Sequence, residues 1–178
     1  TFSEEDKVEL WMMCENPFLT EEQTKEWHNL YKSSKLGDKI KFIPRVNTTQ
    51  EVYNIMCKVD CGVFPSRAEG WNLEVLELMA CGKNIITTNY SAHTEFCNNE
   101  NAMLVDIDKT ETAFDGIWFQ GNGNWAEIGN NQQEQLSAYM KEVHDKKQNG
   151  VLQCNTSGLI TAQTLNWDVI SDRILSHV

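Results

Sequence analysis

Two glutamates carry the chemistry that the sequence offers most clearly. Glu69 lies in the turn Pro65-Ser66-Arg67-Ala68-Glu69-Gly70-Trp71-Asn72, and Glu77, with seven residues between, lies in the apolar stretch Val75-Leu76-Glu77-Leu78-Met79-Ala80. A carboxylate on so apolar a helix calls for a partner, because an ionised group buried alone is costly. The vicinal hydroxyls of a ribose or a sugar are suitable partners, since one acidic side chain accepts from both. Gly70 lets a ligand approach the backbone closely, and the unpaired N–H groups of the helix that follows can hold an anion. Arg67 fits two roles equally well, a phosphate contact or an ion pair with a carboxylate of the same loop. The chemistry implied is a phosphate flanked by two carboxylates, one in the turn and one in the helix.

Other patterns carry less. On spacing alone, most carboxylates are simply solvated charges. Asp106-Ile107-Asp108 has a D-x-D form that can hold a divalent cation through oxygen. It follows a strand with no second acidic cluster, so it reads as a solvated turn. His93 and Cys97 are four apart, as are Cys57 and Cys61. Neither pair has the second half of a tetrahedral zinc site, and both read as packing residues. No Ser/His/Asp arrangement stands out. Trp118 and Trp125 could stack on a sugar face, although loop aromatics more often anchor the loop to a core. No metal ligand is assigned.

Positioning these residues requires a regular frame, and the chain has one. Residues 8–14 read as a buried strand, stopped by Asn16-Pro17. Thr20 with Gln23 forms a capping box that opens a helix to about residue 33. Residues 39–43 form a short strand ended by Pro44, and Thr48 or Thr49 caps a helix over about 50–58. Strand 61–64 leads through the acidic turn into helix 73–81, with Gly82 suited to the left-handed position that ends it. Strand 84–88, a short helix at 91–97 and strand 102–105 follow. Residues 106–131, rich in Gly and Asn, read as a long irregular connection. Residues 132–148 form an amphipathic helix with Leu136, Tyr139, Met140 and Val143 on one stripe, and helices over about 156–164 and 168–177 finish the chain. Strands alternating with helices predict an α/β fold, a parallel sheet with helices on both faces. Ligands of such sheets bind at the carboxyl ends of the strands, where the acidic turn lies.

Composition narrows the partners. In 178 residues, 15 Lys and Arg against 26 Asp and Glu give a net charge of −11, which disfavours nucleic acid and anionic membranes. An apolar share of 40% with 6 Trp and 7 Phe supports a real core in a single domain, residues 1–178. No apolar run approaches the roughly 20 residues that cross a bilayer, and the acidic start has no signal-peptide pattern. The 6 cysteines are dispersed and read as free thiols of a reducing, cytoplasmic setting. The N-x-S/T matches at Asn47, Asn89 and Asn155 carry no weight in such a compartment.

The run Phe64-Pro65-Ser66-Arg67-Ala68-Glu69-Gly70-Trp71-Asn72-Leu73-Glu74-Val75-Leu76-Glu77-Leu78-Met79-Ala80-Cys81-Gly82 resembles the signature of group 1, family 4-like glycosyltransferases. Glu69 and Glu77 match their E-x7-E motif. Asn84-Ile85-Ile86-Thr87-Thr88 and Asn101-Ala102-Met103-Leu104-Val105 resemble the strands that follow it. The likeness runs over about residues 8–105, with a weaker echo at Asn166-Trp167. It implies one half of a two-Rossmann (GT-B) architecture, the C-terminal domain that binds a nucleoside-diphosphate sugar linked to UDP, GDP or ADP. It also implies transfer with retained configuration and without a metal. By this resemblance Glu69 contacts the donor sugar and is the catalytic candidate. Gly70, Trp71, Asn72 and Leu73 give backbone contacts to sugar and phosphate, Glu77 holds the ribose, and Arg45, in Pro44-Arg45-Val46, sits near the base. The family's first strand and its acceptor domain, which would meet a glycan or lipid, are expected to lie outside this chain. Two alternatives remain open at this point. One is a nucleotide-sugar epimerase of the same architecture; the other is a non-catalytic binding module that dimerises through an exposed sheet edge.

Overall fold

The structure, a computed structural model, describes residues 1–177. The described residues group into two compact units, Thr1–Val52 and the residues from Tyr53 onward.

In the first unit, β1 (Leu10–Met12) and β2 (Ile40–Phe42) pair in parallel, Leu10 opposite Ile40, with α1 (Glu21–Lys32) as the crossover. Thr20 and Gln23 form the expected capping box, the Gln23 N–H donating to Thr20 Oγ1 and the Thr20 N–H to Gln23 Oε1. His28 stacks on Phe42 with ring centroids 3.9 Å apart, which lays α1 on β2. Lys32 Nζ donates to the carbonyls of Gly37 (3.0 Å) and Ile40 (2.5 Å), holding the last turn of α1 to the short 3₁₀ turn Gly37–Lys39. A side chain at Gly37 would collide with the Lys32 carbonyl, so the turn demands glycine. Helix α2 (Thr49–Met56) follows, opened by Thr48, whose Oγ1 accepts from the Glu51 N–H at 3.2 Å.

In the second unit, β3 (Cys61–Phe64), β4 (Asn84–Thr88) and β5 (Met103–Val105) form a parallel sheet with β4 at its centre. Alternation along β4 divides the core. Ile85 packs with Val75, Leu78 and Met79 of α3 (Leu73–Ala80), together with Phe96, Cys97 and Leu104. Ile86 faces the other way, against Val105 and Val143 of α4 (Asn130–Gln148). α5 (Thr156–Thr164) packs on α3, and α6 (Trp167–Leu175) ends the described chain. The strands are therefore apolar on both faces, as parallel sheets require. Gly62 is where β3 meets α3: an added Cβ would lie 2.5 Å from Leu78 Cδ1. Gly82 ends α3 at φ +67°, the expected left-handed position. The expected Rossmann-like α/β fold is what the chain adopts. Among the described residues no helix is long and apolar enough to cross a membrane.

The expectation of an irregular stretch at 106–131 is corrected by the structure. It holds an antiparallel hairpin, β6 (Thr110–Phe114) and β7 (Gln120–Ala126), with a register shift between Thr112 and Phe114. Most of its side chains are exposed and β7 is Gly- and Asn-rich, so neither apolar alternation nor strand propensity marks it. The legible signal is Asp115-Gly116, a turn dipeptide. Asp115 Oδ1 accepts from the N–H groups of Ile117, Trp118 and Phe119 at 2.8, 2.8 and 2.9 Å, and Gly116 takes φ +77°. These amides, Phe119 foremost, hold the Asp115 carboxyl below its ordinary pKa. Asp115→Ala should therefore speed hydrogen exchange at amides 117–119 and leave β3–β5 protected, measured by NMR at neutral pH.

Candidate functional site

The turn that the sequence singles out lies at the carboxyl end of β3 and leads into α3. Its form depends on Asn72. This residue is buried and left-handed (φ 69°, ψ 74°), a conformation that Asn tolerates better than any residue but Gly. Although it stands at the N-cap of α3, its side chain makes no cap hydrogen bond. The amide turns inward instead. Nδ2 lies 2.9 Å from His93 Nε2 and makes a long 3.5 Å contact to Glu69 Oε1. Ser66 Oγ donates to the same Glu69 oxygen at 2.7 Å. The Glu69 main chain is fixed as well: its N–H donates to Ser91 Oγ (3.3 Å), and that hydroxyl donates to its carbonyl (2.8 Å).

His93 comes from the 3₁₀ turn Ser91–Glu95 after β4 and is 1% exposed. Its Nδ1 lies 2.9 Å from Thr87 Oγ1, which itself donates to the Phe64 carbonyl, and 3.1 Å from the Thr88 carbonyl, which can only accept; the tautomer that satisfies both carries its proton on Nδ1. Nε2 is then the acceptor for the Asn72 amide. Burial lowers the His93 pKa, opposed in part by the Thr88 bond and the charge of Glu69. Thr88 Oγ1 donates to the Ser66 carbonyl (2.7 Å), so the end of β4 holds the start of the turn.

Arg67 has an ion-pair partner, but not in its own loop. Its Nη2 pairs with Glu111 of β6, its Nε donates to the Ala126 carbonyl (3.1 Å), and the guanidinium lies 4.5 Å from the Trp125 ring centroid. The Ala126 N–H donates to the Arg67 carbonyl at 2.7 Å, and Tyr90 Oη to the Asn124 carbonyl at 3.2 Å. The hairpin is thereby bound to the turn. Trp125 is an anchor for Arg67, whereas Trp118 at the hairpin tip is 79% exposed.

Glu77 is more open than its apolar neighbours suggest. It lies on the exposed face of α3 with Leu73 and Glu74, because Val75, Leu78 and Met79 take the buried side. Among the described residues its carboxylate has no hydrogen-bond or ion-pair partner. Partial burial, and then the charge of Glu74, raise its pKa. Gly70 is exposed, and a Cβ there would meet no atom within 4 Å, so nothing in the protein itself demands glycine. Trp71 leans on Phe96 with ring centroids 5.1 Å apart. Arg45 belongs to the first unit; it is exposed after β2, and its N–H donates to Glu15 Oε2 at 3.3 Å.

The remaining candidates are structural. Asp108 Oδ2 accepts from Asn131 Nδ2 (2.8 Å) and Gln132 Nε2 (3.1 Å), tying the chain before β6 to the start of α4. Among the described residues no three His, Cys, Asp or Glu side chains gather to hold a metal. All six cysteines are free, and burial pushes the Cys61 and Cys97 thiols up to about 12. Sequence reasoning placed Ser66 in this turn without a role for it, and it missed Ser91 and His93 as partners of the turn. Ser91 and His93 come from the 3₁₀ turn after β4, which only the sheet brings beside the acidic turn.

The family described as glycosyl transferases group 1 matches residues 2–117, more than half of the chain, and the protein belongs to it. The O-antigen biosynthesis glycosyltransferase WclY of Escherichia coli is 32% identical over 91 residues, 51% of this chain and 25% of that protein. The fold resembles that of Anabaena HepE, solved in complex with UDP-glucose, with a TM-score of 0.61 and 17% identity. It likewise resembles sucrose-phosphate synthase from Thermosynechococcus elongatus, with a TM-score of 0.61 and 18% identity. These likenesses cover 90% and 94% of this chain but only 37% and 36% of those chains. The protein thus spans about a quarter of the curated relative and little more than a third of the two structures.

The buried neutral imidazole gives a stability prediction with a defined sign. A histidine pKa lowered by folding contributes its full stability above the unfolded value near 6.5, and that stability is lost as pH falls below it. Thermal melts between pH 7.5 and 5 should therefore fall with pH. In His93→Gln, which cannot titrate, that part of the slope should disappear.

Proposed function

We propose that this chain is the donor-binding part of a retaining hexosyltransferase that takes a nucleoside-diphosphate sugar, linked to UDP, GDP or ADP. The observation that carries the reading is the Glu69 carboxylate, held through one oxygen by Ser66 and Asn72 at the carboxyl end of β3, just before a helix whose N-cap side chain makes no cap hydrogen bond. Membership of the group 1 glycosyltransferases supports it. In this reading Glu69 accepts from hydroxyls of the donor sugar. The backbone from Gly70 to Leu73 and the N-terminus of α3 carry the diphosphate, where N–H groups and the helix dipole favour negative charge. Glu77 accepts from the ribose hydroxyls, which supply the partner that its carboxylate lacks.

The contribution to catalysis is electrostatic: leaving-group charge grows on the diphosphate as the glycosidic bond breaks, and prearranged N–H groups stabilise it. No residue of the turn acts as a general base, and no metal takes part. The acceptor, a glycan or a lipid, falls to the remainder of a GT-B architecture. The setting is the cytoplasm, which the six unbridged cysteines support.

Ligand-observed NMR with UDP, GDP and ADP, and with their glucose and mannose conjugates, tests this reading. Saturation transfer to one nucleotide is expected; its absence for all of them overturns the assignment. Glu77→Ala should weaken the free nucleotide about tenfold or more, since a hydrogen bond to a charged group is worth about 1.5–3 kcal/mol. Glu69→Ala should act on the conjugate and not on the free nucleotide. Gly70→Ala separates ligand from fold. Gly70 lies outside the left-handed region and has open space around it, so stability should hold or rise by about 0.4–1 kcal/mol. Donor affinity should nevertheless fall, because the added methyl occupies the approach to the backbone.

A further inference from the structure

We infer that His93 and Asn72 are positioning residues that fix the Glu69 carboxylate for recognition of the donor sugar; this rests on the donor-binding reading above. The argument begins with the proton on His93. Nδ1 lies between Thr87 Oγ1 at 2.9 Å, a hydroxyl that donates its own proton to the Phe64 carbonyl at 3.2 Å, and the Thr88 carbonyl at 3.1 Å; both call for a proton on Nδ1, so in the neutral ring Nε2 can only accept. That settles which end of the Asn72 amide faces it: the donor Nδ2, at 2.9 Å, and not Oδ1. The same Nδ2 carries a second proton, which points along the 3.5 Å contact to Glu69 Oε1. With the Ser66 hydroxyl at 2.7 Å on that oxygen, one side of the carboxylate is defined. Glu69 Oε2 is then the oxygen that reads the sugar.

A packing role does not account for this arrangement. The left-handed position at 72 would suit glycine better, and a histidine kept only for its volume would need no aligned partner. Asn is the residue that tolerates this backbone and also supplies two amide protons in divergent directions. His93 and Ser91 come from one turn, Ser91–Glu95, so the segment after β4 holds both the side chain and the backbone of the sugar-reading residue. Neither side chain touches the ligand in this scheme; both act through Glu69, and Asn72 meets the ligand through its backbone alone.

The test is the ratio of conjugate to free-nucleotide affinity in this chain, measured as UDP-glucose over UDP, GDP-mannose over GDP and ADP-glucose over ADP. Asn72→Gly keeps the backbone conformation and removes the amide; it should lower the ratio at least fivefold for the conjugate that binds. His93→Leu should lower it similarly, and His93→Gln, which restores an acceptor to Asn72, should recover most of it. Long-range proton–nitrogen NMR of the wild type should show His93 as the neutral Nδ1–H tautomer. An unchanged ratio in Asn72→Gly overturns the relay and leaves the donor-binding reading standing, as does an equal loss in His93→Gln and His93→Leu. Failure of every nucleotide to bind the wild type overturns both.

Discussion

The left-handed backbone at Asn72 is the constraint on which the site depends. At this one residue the chain leaving β3 must turn into α3, and only a positive φ makes the turn. A non-glycine residue held there costs of order 1 kcal/mol, so the position is maintained only where its surroundings favour it. The buried 2.9 Å contact to His93, worth about 0.5–1.5 kcal/mol net, does so together with the longer, part-buried contact to Glu69. The conformational demand and the orientation of Glu69 are met by the same side chain. That coupling explains why the first turn of α3 is left without a side-chain cap: the residue best placed to cap it is engaged elsewhere.

The electrostatics follow from the same economy of groups. For a chain of net charge −11, the proposed diphosphate site needs a local source of positive potential. Arg67 is the cation of the turn, yet Glu111 pairs with it and Trp125 lies against it. Its charge is largely offset, and its role is to bind hairpin β6–β7 to the loop. What the turn offers an anion is therefore the helix N-terminus and the exposed backbone at Gly70. Backbone dipoles of this kind are rigid and need no reorganisation as charge develops, which suits a leaving group better than a mobile surface cation would.

Much of this was legible in the sequence, for reasons that can be traced to particular residues. Thr20 with Gln23, Gly82 after an apolar run, and the strands 61–64 and 84–88 are local signals, and each element formed where those signals lie. The E-x7-E spacing located the turn. The hairpin escaped because Thr110–Phe114 and Gln120–Ala126 bury little beyond Ala113 and Ala126, so burial left no periodic trace. His93 escaped for a different reason. Four-residue spacing to Cys97 invites a question about metal, whereas its partners, Asn72 and Thr88, are defined by how β3 and β4 lie side by side. The openness of Glu77 was also misjudged: an apolar helix buries one stripe, and Glu77 falls off the stripe formed by Val75, Leu78 and Met79.

The two acids of the motif are consequently not equivalent. Glu69 is held by neutral donors from the chain itself, through Ser66 and Asn72 on its side chain and Ser91 on its backbone. Such a carboxylate presents one oxygen in a fixed direction, which is what discrimination among sugar epimers requires, since they differ in the direction of a single hydroxyl. Glu77 has no such support, and its pKa is raised by burial and by Glu74. A pair of vicinal ribose hydroxyls offers it two donors at once and would reverse that rise. In the proposed reading, one acid selects and the other gains most from being bound. The spacing of the motif places the first in a braced turn and the second on a helix face, and that difference in support divides the roles between them.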